Sequence, residues 1–450
     1  MKHYHFIAIG GSAMHNLALA LHDKGYRITG SDDVIYEPSK SRLAAAGLLP
    51  TKFGWFPEKI TPKLDGIIVG MHARPDNPEL QKAKELGIKI YSYPEFLYEH
   101  AKNKKRIVIA GSHGKTTTTA ALLHVLKHTG IETDFMVGSL LEGFDRMVKL
   151  SDAPLMILEG DEYPTSPLDP RPKFLHYKPH IALITGIALD HINKFENWEK
   201  YTRQFEYFIQ SVEPRGALIW FRNDPRLQQI VNNYPNLNTI PYSTPPYEIR
   251  NGKFYLHDSI NKTKIPLQIF GRHNMQNLEG ARLLANALGV PNEQFYNAIQ
   301  SFGGASLRLQ KIHDNGNTVI IRDFAHAASK VRASVNAVRE LYPDKKLIAV
   351  QELHTYSSLN KKYLPEYKDT MKTADTAVIF YDPEALRIKK REPIEPEFIR
   401  KAYNHPDMHV FTTPETFHRF LYDLPKNNTV LLLMSSGNLG GLDIEHLKNR

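Results

Sequence analysis

A glycine-rich stretch with a single lysine is the strongest chemical signal in the sequence. It runs from Gly111 to Thr116, after the apolar run RIVIA and before a helical pattern that opens with threonines. A glycine turn at the start of a helix directs backbone N–H groups toward one point, where the helix dipole also favours an anion. A lysine there neutralises β- and γ-phosphates, and the next hydroxyl can reach Mg²⁺. The stretch therefore predicts that nucleotide phosphates bind Gly111, Ser112, His113, Gly114, Lys115, Thr116 and Thr117.

The spacing of this stretch departs from the usual phosphate loop. The pattern G-x-x-x-x-G-K-T would place its first glycine at Ile109, so the loop is a contracted variant. The alternative is a strand–helix turn whose lysine has no ligand. The sequence context of strand, loop and helix favours the nucleotide site.

Acidic and imidazole groups follow two apolar strands, where a nucleotide-bound metal would need its ligands. Glu159 follows PLMIL, and Asp190-His191 follows IALIT after a short turn. Mg²⁺ prefers oxygen ligands and usually binds through one or two carboxylates together with phosphates. A histidine is a less usual Mg²⁺ ligand, so His191 could instead pack against the core or cap a helix.

The stretch GRHNMQN, residues 271–277, carries groups that suit a nucleotide base. The side-chain amides of Asn274 and Asn277 can pair with an adenine edge through a donor and an acceptor. The alternative is a helix start at which Asn274 is the N-cap.

The N-terminus shows a second glycine turn between a strand and a helix, IGGSAM at residues 9–14. Ser31 and Asp32 end the next strand. This arrangement is typical of a dinucleotide fold with an acidic ribose contact. The full glycine fingerprint is absent, because Ala8 and Ala13 stand at two of its glycine positions.

Apolar strands alternate with helix-length segments along the whole chain, which predicts parallel α/β sheets. We predict three domains: a Rossmann-like N-terminal domain, a central mononucleotide-binding domain of P-loop type with a parallel sheet, and a Rossmann-like C-terminal domain. Their predicted bounds are 1–104, 105–304 and 305–450. The lysine-rich run 102–106 is predicted to be a linker, and the proline- and asparagine-rich region 233–252 to be irregular.

Composition limits the classes of protein that this chain can belong to. The chain has 450 residues, 42% hydrophobic and 23% charged, as is ordinary for a globular protein. It contains no cysteine, which excludes disulfides, Cys-ligated zinc and Cys nucleophiles and fits a reducing cytoplasm. No apolar window suits a membrane helix, so we predict a cytoplasmic protein with no membrane partner. The net charge of +9 leaves a nucleic-acid-dependent ATPase open, but basic and acidic residues are mixed, so no nucleic-acid partner is predicted.

Taken in order, these motifs resemble those of the Mur ligases of cell-wall synthesis over nearly the whole chain. AIGGSAMHNLALAL, GYRITGSDD and HARPDNPEL are similar to the family's UDP-binding domain, and AGSHGKTTTT to its contracted phosphate loop. ILEGDEY and LDH resemble its metal-binding strand ends, and GRHNMQN its adenine-binding helix start. LRLQ, RDFAH and LMSSGNLGG resemble motifs of its C-terminal domain.

The resemblance implies a mechanism and a set of ligands. ATP would phosphorylate the carboxylate of UDP-N-acetylmuramate, and the amine of an amino acid or peptide would then attack the acyl phosphate. The protein is expected to be a monomer or a weak dimer. Thr116 and Glu159 would hold one Mg²⁺ and His191 a second. The catalytic residues implied are Lys115, His191, Arg308 and Asp323, and the nucleotide would also contact Asn274, Asn277, Arg308 and Asp323. The substrate-binding residues implied are Gly10, Gly11, Ser12, Met14, Ser31, Asp32, His72, His326 and His354.

Some relatives carry a carbamylated lysine near the second metal. Counted without gaps from His191, the corresponding residue is Glu206. The hypothesis is that the Glu206 carboxylate replaces the carbamate as a metal ligand.

One stretch discriminates among family members. It resembles members that add the peptide L-alanyl-γ-D-glutamyl-meso-diaminopimelate, whereas members that add L-alanine differ there, and alanine remains the alternative acceptor. The residues that carry this likeness are Asp161, Glu162, Tyr163, Asp169, Arg171, Lys173, Phe174, His176, Tyr177 and Pro179.

Several positions depart from the family pattern, which opens a second alternative: a nucleotide-binding regulator without turnover. The phosphate and metal residues are retained, so an active ligase is expected. The departures are Gly186, Ala188, Leu307, Arg322 and Ala327.

Overall fold

A computed structural model of the chain describes residues 1–71, 73–166, 169–188, 197–258, 261–305, 308–425 and 427–448. Three large sheets of mostly parallel strands follow one another along the chain, and helices pack on each. This confirms the predicted α/β class with three domains. The exact residues at which the domains divide stay a prediction.

The N-terminal domain is a four-stranded parallel sheet in the order β2-β1-β3-β4. Apolar residues fill both faces of the central strands, as in other parallel sheets covered by helices. Its strands are β1 His3–Ile7, β2 Arg27–Ser31, β3 Gly66–Val69 and β4 Ile90–Ser92. Its helices are α1 Ser12–Asp23, α2 Ser39–Ala45, α3 Pro78–Glu85 and α4 Tyr93–Ala101, with a 3₁₀ turn at Pro57–Lys59.

The central domain has a seven-stranded sheet in the order β13-β12-β11-β5-β8-β6-β7, in which only β7 runs antiparallel to its neighbour among the described pairs. The strands of this sheet are β5 Lys105–Ala110, β6 Asp134–Met136, β7 Val148–Lys149, β8 Leu155–Glu159, β11 Ile181–Ile184, β12 Ala217–Phe221 and β13 Asn238–Tyr242. Between β8 and β11 lies the hairpin of β9 Pro164–Ser166 and β10 Asp169–Pro172, with a 3₁₀ turn at Lys173–His176. A small antiparallel sheet contains β14 Tyr247–Arg250, β15 Lys253–Asp258 and β16 Thr263–Pro266. The helices are α5 Lys115–His128, α6 Trp198–Gln210, α7 Pro225–Asn232, α8 Arg272–Ala287 and α9 Asn292–Ile299.

The C-terminal domain has a six-stranded sheet in the order β17-β18-β22-β19-β20-β21, with only the edge strand β17 antiparallel among the described pairs. Its strands are β17 Gln310–Asp314, β18 Thr318–Asp323, β19 Lys346–Glu352, β20 Thr376–Phe380, β21 Met408–Phe411 and β22 Thr429–Met434. Its helices are α10 Ala328–Leu341, α11 Pro383–Ile388, α12 Pro396–Tyr403, α13 Pro414–Tyr422 and α14 Ile444–Lys448, with a 3₁₀ turn at Leu364–Tyr367.

Two expectations from the sequence are wrong. The region 233–252 is not irregular throughout, because β13 and β14 lie in it; β13 is the edge strand of its sheet, where Pro241 removes no necessary hydrogen bond. The run 102–106 is not a solvated linker. Arg106 is 2% exposed and donates to the carbonyls of Ala101 and Tyr177, and β5 begins at Lys105.

None of the helices in the described part of the chain combines the length and the apolar character that crossing a bilayer requires.

Candidate functional site

The predicted phosphate loop connects β5 to α5 at the carboxyl edge of the central sheet. Its glycines adopt left-handed backbone conformations, with φ 128° at Gly111 and 80° at Gly114. A Cβ on Gly111 would lie 2.1 Å from Thr185 Oγ1, and one on Gly114 would lie 2.2 Å from Asn277 Oδ1. Glycine is therefore required at both positions by conformation and by close packing. The result is an exposed helix N-terminus at which an anion is favoured.

A cleft of about 370 Å³ opens at this helix N-terminus, between the central and C-terminal domains. Most residues predicted to bind nucleotide or metal line it, so folding brings together groups from five separate places in the sequence. They are Ser112, His113, Gly114, Lys115, Thr116, Thr117, Glu159, Asn274, Asn277, Arg308 and Asp323.

Lys115 lines the cleft and makes two strong contacts behind it. Its Nζ donates to the carbonyl of Gly111 at 2.5 Å and to Glu162 Oε2 at 2.9 Å. Burial alone would lower the pKa of Lys115, but the carboxylate of Glu162 and the more distant one of Asp161 outweigh it, so the pKa is raised. The ammonium is therefore fully charged at neutral pH and suited to a phosphate.

Thr116 and Glu159 are in direct contact, as a shared Mg²⁺ site requires. Thr116 Oγ1 donates to Glu159 Oε1 at 2.8 Å, and the other carboxylate oxygen accepts from the backbone N–H of Gly138 at 2.9 Å. One hydroxyl and one carboxylate beside a phosphate loop are the oxygen ligands that Mg²⁺ prefers. These residues fit the ion. His191, the predicted ligand of a second Mg²⁺, lies outside the described residues.

The predicted adenine-binding residues lie at the start of α8. The N-cap is Gly271, with φ 92°, so Asn274 is not the cap. Asn274 Nδ2 donates to the carbonyl of Phe270 at 2.8 Å, and Gln276 Nε2 donates to that of Thr185 at 2.7 Å. Asn274 is thus held by its own helix start, while Gln276 ties the helix to the strand end beside the phosphate loop.

The C-terminal domain closes the other side of the cleft. His113 Nε2 lies 2.6 Å from Ser329 Oγ, so the phosphate loop touches the start of α10 directly. The guanidinium of Arg308 lies 4.9 Å from the Phe324 ring centroid and faces the cleft. Arg308 therefore lines the same cleft as the phosphate loop, as its predicted contact with phosphate requires.

Asp323 ends β18 and is 5% exposed. Its Oδ1 accepts the backbone N–H of Leu309 at 3.1 Å and that of Phe324 at 2.9 Å, and its Oδ2 accepts from Ser334 Oγ. The carboxylate is thereby held in one orientation at the cleft wall. It fixes the chain directly after Arg308 and at the end of β18.

The predicted UDP-binding residues form a second cluster at the carboxyl ends of β1 and β2. Asp32 Oδ2 accepts the backbone N–H of Gly10 at 2.7 Å. Burial raises the pKa of Asp32 to about 6, although the Gly10 hydrogen bond favours the ionised form. Ser31 Oγ accepts from Lys59 Nζ at 3.0 Å. Sequence alone did not single out Lys59.

The remaining predicted residues are not gathered at the cleft. His72 lies outside the described residues, as His191 does. His354 is exposed just beyond β19, and His326 follows β18 with Nδ1 3.0 Å from the carbonyl of Phe324. Both follow the carboxyl ends of strands in the C-terminal sheet.

Glu206 is half-buried on α6. It is not one of the residues lining the cleft. It lies five positions after Tyr201, whose hydroxyl reaches the phosphate loop. At about 100° per helical residue, Glu206 is rotated about 140° from Tyr201 around α6. Because His191 lies outside the described residues, the hypothesis that the Glu206 carboxylate replaces a carbamate stays a prediction.

Sequence reasoning missed the two buried partners of the phosphate loop, Glu162 and Tyr201. Both residues are fully buried. The Tyr201 hydroxyl lies 2.7 Å from Ser112 Oγ and 3.1 Å from Glu162 Oε1. The only signal in the sequence was a second acid three residues after Glu159.

Another cluster that could suggest a cation, Glu95, Asp169 and His176, is already an ion-pair network. The guanidinium of Arg171 lies 2.8 Å from Asp169 Oδ2 and 3.7 Å from Glu95 Oε1. It joins the β9–β10 hairpin to α4 of the N-terminal domain.

An aromatic side chain with two cations lies beyond the ends of β19 and β20. Tyr356 is 51% exposed, with Lys389 Nζ 5.8 Å and Arg391 Cζ 5.6 Å from its ring centroid. Arg391 Nε is buried and has no hydrogen-bond partner among the described residues. We call Tyr356, Lys389 and Arg391 the basic-aromatic patch.

Family models match most of the chain, one in each domain. The model described as Mur ligase family, catalytic domain, matches residues 3–105. That described as Mur ligase middle domain matches 109–285, and that described as Mur ligase, glutamate ligase domain, matches 307–437.

Individual relatives carry two different substrate names. The chain is 31% identical over 368 residues, 79% of each protein, to a UDP-N-acetylmuramate–L-alanine ligase of Aquifex aeolicus. It is 26% identical over 465 residues, 98% of each, to a UDP-N-acetylmuramate–L-alanyl-γ-D-glutamyl-meso-2,6-diaminoheptandioate ligase of Haemophilus influenzae. A crystal structure of a murein peptide ligase from Psychrobacter arcticus superposes with a TM-score of 0.67 at 22% identity, covering 100% of this chain and 99% of that one, and shares the fold.

Proposed function

The chain belongs to the Mur ligase family, and from that premise we propose that it joins UDP-N-acetylmuramate to the peptide L-alanyl-γ-D-glutamyl-meso-diaminopimelate. It is an ATP-dependent carboxylate–amine ligase. ATP transfers its γ-phosphoryl group to the muramyl carboxylate, and the peptide amine displaces phosphate. The observation that carries the proposal is the single cleft lined by Lys115, Thr116, Glu159, Arg308 and Asp323.

The residues of the cleft divide the work of phosphoryl transfer. Lys115 at the α5 N-terminus binds the β- and γ-phosphates and offsets their growing charge. Thr116 and Glu159 would hold Mg²⁺, which supplies further neutralisation of phosphate charge when bound. Arg308 reaches the same phosphates from the C-terminal domain, so the two domains must be close for turnover.

Position and charge of the basic-aromatic patch support a peptide acceptor. Asp323 ends β18 at the cleft, and the patch lies over the ends of β19 and β20. Because β18 and β20 are three strand spacings apart in the order β18-β22-β19-β20, and strands lie about 4.8 Å apart, the separation is roughly 14 Å.

A free amino acid is too short for this separation. One residue spans about 3.5 Å and three span about 10 Å, before the longer γ-linkage is added. The peptide also carries three carboxylates, which two cations on an aromatic ring can bind. An amine reacting near Lys115 can therefore belong to a molecule whose far end reaches Lys389 and Arg391.

The test is ADP release with UDP-N-acetylmuramate, ATP and either the peptide or L-alanine. The peptide is expected to give much the larger kcat/KM. Turnover with L-alanine and none with the peptide would overturn the peptide assignment. The alanine ligase is the second candidate, because the Aquifex aeolicus relative at 31% identity carries that name.

A double variant sharpens the acceptor assignment. Lys389→Ala with Arg391→Ala is expected to raise KM for the peptide about tenfold, through loss of two charge-assisted contacts, and to leave KM for ATP unchanged. Arg387→Ala is the matched control, because Arg387 is exposed and its Nε donates to Glu384 at 2.8 Å. An unchanged peptide KM in the double variant would remove the patch from the acceptor site.

A further inference from the structure

A buried ion pair lies directly behind the phosphate loop. The side chain of Glu162 is 0% exposed and that of Lys115 is 15% exposed, with Nζ and Oε2 2.9 Å apart. Lys115 lines the cleft and Glu162 stands behind it. A nucleotide therefore meets a lysine whose charge is already paired on its inner side.

Hydrogen bonds between described residues form a chain that ends on the Glu162 carboxylate. The backbone N–H of Ala188 donates to Ser112 Oγ at 2.8 Å. Since the Tyr201 hydroxyl donates to Glu162 Oε1, the Ser112 hydroxyl is the donor to Tyr201. Such a one-way chain strengthens the charged form of its terminal acceptor. It also ties the loop after β11 and helix α6 to the phosphate loop.

We propose that Glu162, fixed by Tyr201, positions Lys115 and that its negative charge limits how tightly the phosphate loop holds nucleotide. The proposal rests on the ligase function and extends it to nucleotide release. An ammonium has three N–H donors. Gly111 and Glu162 accept two of them, so the third is directed to phosphate.

The carboxylate acts on nucleotide through Lys115. A negative charge behind the ammonium repels the incoming phosphates across a poorly screened distance and weakens the pull of Lys115 on them. It thereby favours departure of ADP after the reaction. Loss of the charge alone, with the acceptor oxygen kept, makes nucleotide bind more tightly.

The experiment compares two variants whose effects have opposite signs. Glu162→Gln keeps an oxygen for Lys115, and the Kd of ADP with Mg²⁺, measured by calorimetry on the full chain, is expected to fall roughly tenfold. KM for ATP falls with it, while kcat does not rise. Tyr201→Phe removes a donor from the carboxylate, strengthens its hold on Lys115, and is expected to raise the Kd about two- to threefold.

The matched control is Asp161→Asn, which removes the same charge one residue away. Asp161 is partly exposed and its Oδ2 accepts from Lys173 Nζ at 2.7 Å, so the Kd of ADP is expected to change less than about twofold. A purely structural role for Glu162 predicts weaker ADP binding in both Glu162→Gln and Tyr201→Phe. That result, or an unchanged Kd in Glu162→Gln, would overturn the proposal.

These measurements need no acceptor. A chain that used L-alanine would fail the acceptor test and still show the Glu162 effect on ADP.

Discussion

Two strand–turn–helix units of this chain use the same backbone device and carry different side chains. The central unit joins β5 to α5 and places Lys115 and Thr116 at the helix start. The N-terminal unit joins β1 to α1 and has no cation there; instead, Asp32 accepts the N–H of Gly10 at 2.7 Å. A glycine turn thus offers an anion site in both domains, and the side chains decide its ligand.

The difference also appears in how closely the N-cap glycine of each helix is packed. Gly114, at φ 80°, packs against Asn277, and Lys115 and the hydrogen-bonded pair Thr116–Glu159 lie beside it. Gly11 has φ −58° and nothing nearer to an added Cβ than 3.6 Å. The glycine at the start of α5 is thus closely packed in a left-handed conformation, whereas the glycine at the start of α1 has an ordinary conformation and open space around it.

The largest effect should come from the lysine that only the central turn has. Lys115→Ala removes the cation that offsets phosphate charge, so kcat/KM for ADP formation should fall by roughly 10³-fold. Lys105→Ala, an exposed lysine at the start of β5, is the control and should keep its activity. A Lys115→Ala protein that turns over as the parent does would contradict the nucleotide site.

A glycine pair tests the packing difference directly. Gly114→Ala needs a strained left-handed backbone and drives its Cβ into Asn277, so nucleotide affinity should fall more than about tenfold and the thermal midpoint should drop. Gly11→Ala adopts an ordinary conformation, and its unfolding free energy should stay within about 0.5 kcal/mol of the parent. Equal losses of stability in Gly114→Ala and Gly11→Ala would contradict the difference in packing between the two glycines.

Asp32, whose carboxyl group accepts from the N-terminal turn, should make the stability of the protein depend on pH. The pKa of Asp32, raised to about 6 by burial, lies above the ordinary value of 3.8. Its protonated form is therefore favoured by folding, and this stability is lost as pH rises from about 4 through 6.

The substitution Asp32→Asn removes this loss of folding stability at higher pH, because asparagine does not ionise. At pH 7.5 the variant should unfold at a higher temperature than the parent, by an amount equivalent to roughly 2 kcal/mol, and the gap should close below pH 4. KM for the UDP-sugar should rise, because one of the two acceptor oxygens offered to the ribose becomes an NH₂ donor and the negative charge is lost. If the difference in unfolding temperature between Asp32→Asn and the parent did not change with pH, Asp32 would not titrate in this range.

The smallest effect concerns Ala8, which precedes the N-terminal turn at φ 66°. A left-handed alanine costs about 1 kcal/mol relative to glycine there. Ala8→Gly should therefore raise the unfolding free energy by several tenths of a kcal/mol, partly offset by the entropy of glycine in the unfolded chain. Urea unfolding measures it; destabilisation would mean that the Ala8 methyl packs usefully.

Local patterns in the sequence were sufficient for most of the strands and helices and for the conformation of the predicted phosphate loop. Apolar runs such as RIVIA and TVLLLM form β5 and β22, and the helix after the phosphate loop begins at Lys115, two residues before the predicted start. Strand and helix periodicity and the needs of a helix N-terminus are properties of neighbouring residues, so they are visible without a fold.

Contacts between distant residues were not visible in the same way. The burial of Arg106, the edge position of β13, and the face of α6 that Glu206 occupies each depend on which elements become neighbours. Counting residues from His191 could give a position in α6 but not the direction of the side chain around the helix.

The sequence by itself determined that this chain has three α/β units and a lysine and threonine at a helix N-terminus, because those features depend on residues a few positions apart. Only the tertiary structure decided that Glu162 and Tyr201 stand behind Lys115, and that Tyr356 meets Lys389 and Arg391. The reason is physical: each of these contacts forms only when the order of strands in a sheet brings separate loops to the same edge.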